Sequence, residues 1–402
     1  MKLETDIQQG HIGQILDARE VLLRTLVIFL VWRCSFFLFG FFGLHLTVEF
    51  DFEKHLSDPS IINSGKEWQA ITDNYFLDGF FRFDSFWYDT VITEGYSFDS
   101  EKYNNVAFFP LYPYLSKWLG YIIGNHYIAG WLISNLGLFF GLSYIYKIGL
   151  LFFDQKLVER SLILLLIFPS SIFLSSFYTE GLFLWMTTAS FYYFLTNRYF
   201  WSGLFGMLAA LTRFSGILLF ISFLADILYR LWQGKQSLRS SMIWLLLIPV
   251  GIGIFMMVLY IQVGEPLAFI KAQSAWHRES TFPFWTFVKA VQKIDFTLPR
   301  HPTNTLAIFD LLSAIGFLTI SLMMFRKKYP TSLWVYALLS VMLPLSTGRI
   351  LSMARFCSVI FPAFFYLADL GRRPMVFNYL LFSFTFFFSI FSLRFMNWFW
   401  LL

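Results

Sequence analysis

The sequence predicts an all-α integral membrane protein, and three observations carry that expectation. Of 402 residues, 57% are hydrophobic and 22% aromatic while only 14% are charged, whereas a water-soluble domain carries about 25% charge. The 53 Phe, 20 Tyr and 14 Trp, at a mean hydropathy of +0.61, hold more apolar surface than one soluble core encloses. The apolar residues come in continuous runs of about 20 instead of alternating, which selects helices over a membrane β-barrel. The same composition excludes disorder. Cys34 and Cys357 are too few and too far apart for a disulfide framework. The net charge of +5 does not mark a nucleic-acid partner, because Lys and Arg are scattered at the ends of apolar runs and form no basic face.

The first twenty residues are polar, and the run 21–44 that follows is long enough to span and lacks a small-residue cleavage site. Residues 107–124, interrupted by prolines, read as an interfacial helix. Further spans are expected near 127–147, 158–178, 180–197, a tight pair within 200–230, then 242–262, 305–325, 331–347, 353–369 and 376–393. With the first run this makes about eleven in one polytopic domain over 1–402. Thirty-one residues cannot hold two full spans, so the pair within 200–230 must be short helices or one kinked helix.

The connections bearing Lys147, Lys156 and Arg160, Arg230, Lys235 and Arg239, Arg326 to Lys328, and Arg372 with Arg373 fall on one side, which the positive-inside rule assigns to the cytoplasm. Two long loops then lie outside, 45–107 (45–124 with its interfacial helix) and 263–304. The first holds twelve of the 25 acidic residues against four basic ones. Its many aromatics, among them Trp68, Phe80, Phe83, Trp87 and Tyr88, argue for an ordered segment on the membrane surface.

Ionisable residues at the edge of apolar spans are costly, so each is a functional candidate. In Arg82-Phe83-Asp84-Ser85, a carboxylate set among aromatics beside a membrane is partly desolvated and suited to accept a proton from a hydroxyl nucleophile. Asp89 offers a second carboxylate five residues on, and any of the twelve acids has solvating the loop as its ordinary role. In Tyr178-Thr179-Glu180, the acid either orients a sugar hydroxyl or caps the helix that follows. Arg213, within Leu-Thr-Arg-Phe-Ser-Gly, has apolar residues on both sides and needs a partner: either a lipid phosphate or an ion pair with Asp226 or Glu180. Gly264-Glu265-Pro266 with Gln273, Trp276, His277 and Arg278 joins Arg349 and Arg355 at another outer boundary. These arginines either neutralise the acidic loop or grip a phosphate at the membrane surface.

From about residue 80 to 365 the chain resembles the PIG-V family of mannosyltransferases and their bacterial relatives. The resemblance rests on Arg82 to Ser85 with Glu94-Gly95-Tyr96 and Ala107 to Pro113, on Ser175 to Glu180, Leu211 to Gly216, Gly264 to Phe269 with Gln273 and Trp276, and Gly348 to Arg355. Phe86-Trp87-Tyr88 departs from the His-containing segment usual in that family. The resemblance implies a C-type glycosyltransferase (GT-C) fold with a long structured first outer loop. It also implies a polyprenyl or dolichyl phosphate mannose as donor, a glycolipid or other lipid acceptor, and no obligatory cofactor or metal. Asp84 is implied as catalytic base, with Asp89 and Glu180 as alternates. Arg213, Arg349 and Arg355 are implied to hold the donor phosphate, and Arg82, Tyr178, Gln273, Trp276 and Arg278 to line the sugar and acceptor pocket.

The competing readings are a transporter or lipid flippase and a non-catalytic membrane scaffold. Transporters tend to carry internal repeats and midplane sites, whereas here the polar motifs gather toward one face. The outer loops lack glycosylation sequons, which favours a bacterial plasma membrane over the endoplasmic reticulum.

Overall fold

The computed structural model describes residues 17–46, 72, 74–294 and 302–397. Among them all regular structure is helical. Among the described residues six helices are long and apolar enough to cross a membrane. They are α1 (Ala18–Leu46), α5 (His126–Leu150), α9 (Leu218–Trp232) with the turn before it, α10 (Leu247–Val263) with the 3-10 segment before it, α13 (Pro302–Arg326) and α17 (Pro374–Met396). Shorter apolar helices complete the bundle: α7 (Glu180–Leu195), α8 (Tyr199–Thr212), α14 (Thr331–Leu345) and α16 (Phe361–Leu370). Large apolar side chains project from the outer surface, Trp232 at 82% exposure and Met375 at 86%, which only a lipid solvent tolerates in such number. The protein is an integral membrane protein.

The tight pair takes the short-helix form: α8 ends at Thr212, the backbone is extended at Arg213 (φ −154°), and α9 follows a 3-10 turn over Phe214–Ile217. Two expected spans take a different form. Only Gln155–Leu166, α6, is helical within 158–178, and a 3-10 turn over Ser171–Leu174 follows. Pro169 disfavours helical geometry at Phe168, and the serines after it bond local carbonyls, Ser176 Oγ donating to Ile172 O at 2.8 Å. The 353–369 stretch divides into α15 (Met353–Cys357) and α16, which begins at Phe361 with Pro362 in its first turn.

Three of the basic connections meet at one end. Arg160 donates to Gly371 O at 2.7 Å, Lys327 pairs with Asp369 at 2.6 Å, and Arg372 pairs with Asp154 at 2.9 Å. The opposite end carries the remaining short helices, α2 (Tyr75–Asp78), α3 (Ser85–Thr93), α4 (Leu111–Ile123), α11 (Ala268–Lys271) and α12 (Pro283–Lys293). The part of the acidic loop over 47–71 lies outside the described residues.

One close approach fixes the geometry of that end. A Cβ at Gly181 would lie 2.2 Å from Ser134 O, and one at Gly137 would lie 2.7 Å from the Leu182 N. The backbones of α5 and α7 therefore touch, as small residues permit between membrane helices. Ser134 Oγ also donates to Tyr178 O at 2.7 Å, so the residue before Thr179-Glu180 is held to α5.

Candidate functional site

The segment before α3 makes an unusual turn. Phe83 is left-handed (φ +53°), a conformation a non-glycine residue keeps only when its surroundings impose it. The Tyr178 hydroxyl supplies that constraint: it donates to Arg82 O at 2.9 Å and accepts the Asp84 N–H at 3.1 Å. Asp84 occupies the cap position of α3 without bonding its amides, which leaves its carboxylate available to other partners.

That carboxylate heads a chain of alternating charges. Arg355 Nη1 donates to Asp84 Oδ2 at 2.5 Å, and Arg355 Nε donates to Glu180 Oε1 at 2.5 Å. Arg213 Nη1 donates to the same Oε1 at 2.5 Å. Four residues separated widely in sequence thus form one line, Asp84–Arg355–Glu180–Arg213. Glu180 is completely buried and Arg355 nearly so, while Asp84 and Arg213 at the two ends keep partial exposure. Aromatic faces support the cations: Arg355 lies 4.5 Å from the Tyr178 ring centre and 4.9 Å from Phe173.

Two further arginines flank this line. The Phe356 ring has Arg213 at 5.5 Å and Arg278 at 5.8 Å from its centre. Burial pushes the Arg278 guanidinium down to about 10, with Arg349, Arg355 and Arg213 adding to the effect and Asp84 opposing it. Among the described residues neither Arg278 nor Arg349 pairs with a carboxylate; Arg349 Nη1 donates to Trp276 O at 3.2 Å. The Trp276 ring meets Trp87 at 5.4 Å, Tyr103 at 4.8 Å and Phe108 at 6.0 Å, so aromatics of the two outer-end loops form one wall beside the charges.

The other candidate residues each have definite partners. Glu180 follows the cap position of α7, and its carboxylate is taken up by two arginines. Of the two ion-pair partners considered for Arg213, Glu180 is the one observed, since Asp226 pairs with Arg230 at 2.8 Å. Tyr178 is fully buried with its hydroxyl bridging backbone, so it presents no surface to a sugar. Arg82 is likewise buried, and its Nε and Nη2 donate to Met396 O at 3.2 and 3.1 Å, tying the end of α17 to the turn. Asp89 accepts from or bonds to His126 Nε2 at 2.8 Å at the start of α5 and is not part of the charge line. Gln273 Nε2 donates to Phe269 O at 3.0 Å, back onto its own turn. Phe173 and Phe356 were not legible as site residues, because an aromatic beside a cation carries no cost in the sequence that sets it apart from the other apolar positions. Among the described residues no three His, Cys, Asp or Glu side chains gather as metal ligands.

No protein-family model matches the chain, and no curated protein sequence matches it. Solved structures do. ArnT from Cupriavidus metallidurans bound to undecaprenyl phosphate aligns with a TM-score of 0.50 at 14% identity, covering 76% of this chain and 58% of ArnT. The apo oligosaccharyltransferase of Archaeoglobus fulgidus aligns with a TM-score of 0.48 at 12% identity, over 92% of this chain and 56% of that one. The chain thus spans little more than half the length of these structures. Over the aligned part it shares the fold of ArnT.

Proposed function

We propose that this chain is a glycosyltransferase that moves a mannosyl, or other hexosyl, residue from a polyprenyl or dolichyl phosphate sugar to a hydroxyl of a lipid-linked or glycolipid acceptor. The observation that carries the reading is the Asp84–Arg355–Glu180–Arg213 line, which places one accessible carboxylate beside a guanidinium cluster. The GT-C fold shared with ArnT supports a lipid-phosphate donor, since ArnT is a structure bound to undecaprenyl phosphate. Mannose rests on the motifs resembling the PIG-V family.

In this mechanism Asp84 accepts the proton of the acceptor hydroxyl. The hydroxyl oxygen forms a bond to the sugar C1 from the face opposite the phosphate. The C1–O bond breaks with its electron pair going to the lipid phosphate, so the sugar inverts. The phosphate begins as a singly charged diester and departs as a monoester with a second charge. Arg213, Arg278, Arg349 and Arg355 against Asp84 and Glu180 leave a surplus of two positive charges, which matches the departing group better than the donor. Stabilising charge that develops only in the transition state contributes several kcal/mol. Arg278 and Arg349, having no carboxylate to release, contact the phosphate together with Arg355, whose Nε and Nη1 stay on Glu180 and Asp84 and whose Nη2 is bonded to neither. Guanidiniums do the work that a divalent cation does for a diphosphate, so transfer proceeds without metal. The wall of Trp87, Phe108 and Trp276 stacks on the sugar. The active site faces the extracytoplasmic side, by the basic connections at the opposite end, in a bacterial plasma membrane.

The test is transfer of label from polyprenyl phosphate mannose to membrane lipids by the purified protein, with and without a chelator, and with the anomeric configuration of the product determined. An inverted linkage formed equally in chelator supports the reading. Retention of configuration, or lipid movement across liposomes without transfer, defeats it.

A further inference from the structure

Arg355 occupies the centre of the charge line, and its placement depends on a residue that the mechanism does not touch. It sits on α15, a five-residue helix too short to hold itself in place. The residue that starts this helix, Ser352, is left-handed (φ +68°) and its side chain makes no capping bond. The cap comes from elsewhere. Asp310, buried on α13, accepts the Ser352 N–H on Oδ2 at 3.0 Å and the Ala354 N–H on Oδ1 at 2.8 Å. The other face of the same turn is gripped too: Ser170 Oγ donates to Ala354 O at 2.9 Å, and Ser358 Oγ to Arg355 O at 2.7 Å.

We propose that Asp310 is a positioning residue for Arg355: its two carboxylate oxygens hold the 352–354 turn in a strained conformation, so that the Arg355 fork faces Asp84 and Glu180 at once. A carboxylate satisfies this role because it presents two acceptors to two converging N–H groups, and because negative charge is favoured at the start of a helix. An asparagine presents one acceptor and turns an NH2 toward an N–H. A glutamate moves the acceptors by one methylene. Ser352 itself cannot take over, since its left-handed backbone directs the chain away from its own cap geometry. The consequence for the reaction rests on the reading of Arg355 as a phosphate ligand, whereas the structural claim does not.

The experiment therefore has two arms on the full chain in lipid nanodiscs. In the first, amide hydrogen exchange is followed in the peptide covering 352–356. Asp310→Asn should speed exchange there at least about tenfold and leave 180–195 unchanged; equal protection in both proteins overturns the proposal. In the second, undecaprenyl phosphate binding is measured for the native chain, Asp310→Asn, Arg355→Lys and the double variant. Asp310→Asn should weaken binding about tenfold alone and less than about twofold in the Arg355→Lys background, because residues acting through one another are not additive. The same loss in both backgrounds shows a general structural role and overturns the proposal. If Asp310→Asn does not fold, Asp310→Glu goes through both arms with the same expectations. A native chain that binds no undecaprenyl phosphate removes the lipid-phosphate reading, while the exchange arm still decides on Asp310.

Discussion

Glu180 Oε1 accepts from Arg355 Nε and from Arg213 Nη1, each at 2.5 Å. One buried oxygen therefore sets the spacing between two guanidiniums carried by different parts of the chain, the turn after α8 and the short helix α15. Losing either arginine would leave the other alone to balance a fully buried carboxylate whose Oε2 already has no hydrogen-bond partner among the described residues.

Glu180→Gln should accordingly be among the most damaging single changes at the site. Removing one partner of a buried ionic network costs about 3–5 kcal/mol, since the remaining charges are left unmatched in low dielectric. Thermal unfolding in detergent measures it. Asp84, at the exposed end of the line, should tolerate Asp84→Asn with a much smaller shift, and equal shifts for the two variants would show that burial does not govern the network.

Tyr178→Phe keeps the ring against Arg355 and removes the bridge between Arg82 O and Asp84 N–H. An unsatisfied buried pair costs about 1–3 kcal/mol. Because the change acts on the turn carrying Asp84 and not on the arginines, turnover should drop while the donor KM stays within about twofold. A raised donor KM at unchanged turnover would place Tyr178 in the pocket instead.

The physical limits of the sequence reading are visible at these residues. The costly groups were legible: Asp84, Glu180, Arg213 and Arg355 each stood out as a charge beside apolar chain, and all four meet in space. Their pairing was not legible, because a guanidinium in lipid needs a partner without specifying which one, and Glu180 lies 33 residues from Arg213 and 175 from Arg355. Arg82 and Tyr178 shared the same short motifs, yet both serve the backbone of the turn. The apolar stretch 158–178 looked like a span because hydrophobicity does not distinguish a helix from buried irregular chain; Pro169 and the serines after it decide the matter. Asp310 lay in a run read simply as a span, and its value comes from two amides more than forty residues away.

Gly181→Ala tests the contact that fixes the outer end of α7. The added methyl would meet Ser134 O at 2.2 Å and Leu174 O at 2.5 Å, both backbone atoms that cannot rotate aside. Overpacking of this kind costs about 1–3 kcal/mol or more, and displacement of Glu180 should cut transfer further than the loss of stability alone. Full activity at reduced thermal stability would separate the helix contact from the site.

Arg278 gives the site a pH dependence with a defined sign. Burial, reinforced by Arg349, Arg355 and Arg213 and opposed by Asp84, brings its guanidinium down to about 10. It is charged below that pH and loses charge above it, so affinity for polyprenyl phosphate should hold at neutral pH and fall as pH rises through about 10. Arg278→Met should remove this step and weaken binding at neutral pH by roughly tenfold, the scale of one charge-assisted contact. A profile in the native protein that is flat across this range would take Arg278 out of the phosphate site.

In the proposed mechanism Asp84 takes the proton and the arginines hold the phosphate. Both are read in a single comparison of native protein with Asp84→Asn, measuring transfer from polyprenyl phosphate mannose and binding of undecaprenyl phosphate on the same preparation. Loss of a general base lowers rate by about a hundredfold or more, and removing the carboxylate leaves Arg355 freer to meet the lipid phosphate. The account predicts transfer reduced to that extent with binding unchanged or tighter; transfer at the native rate in Asp84→Asn would contradict it.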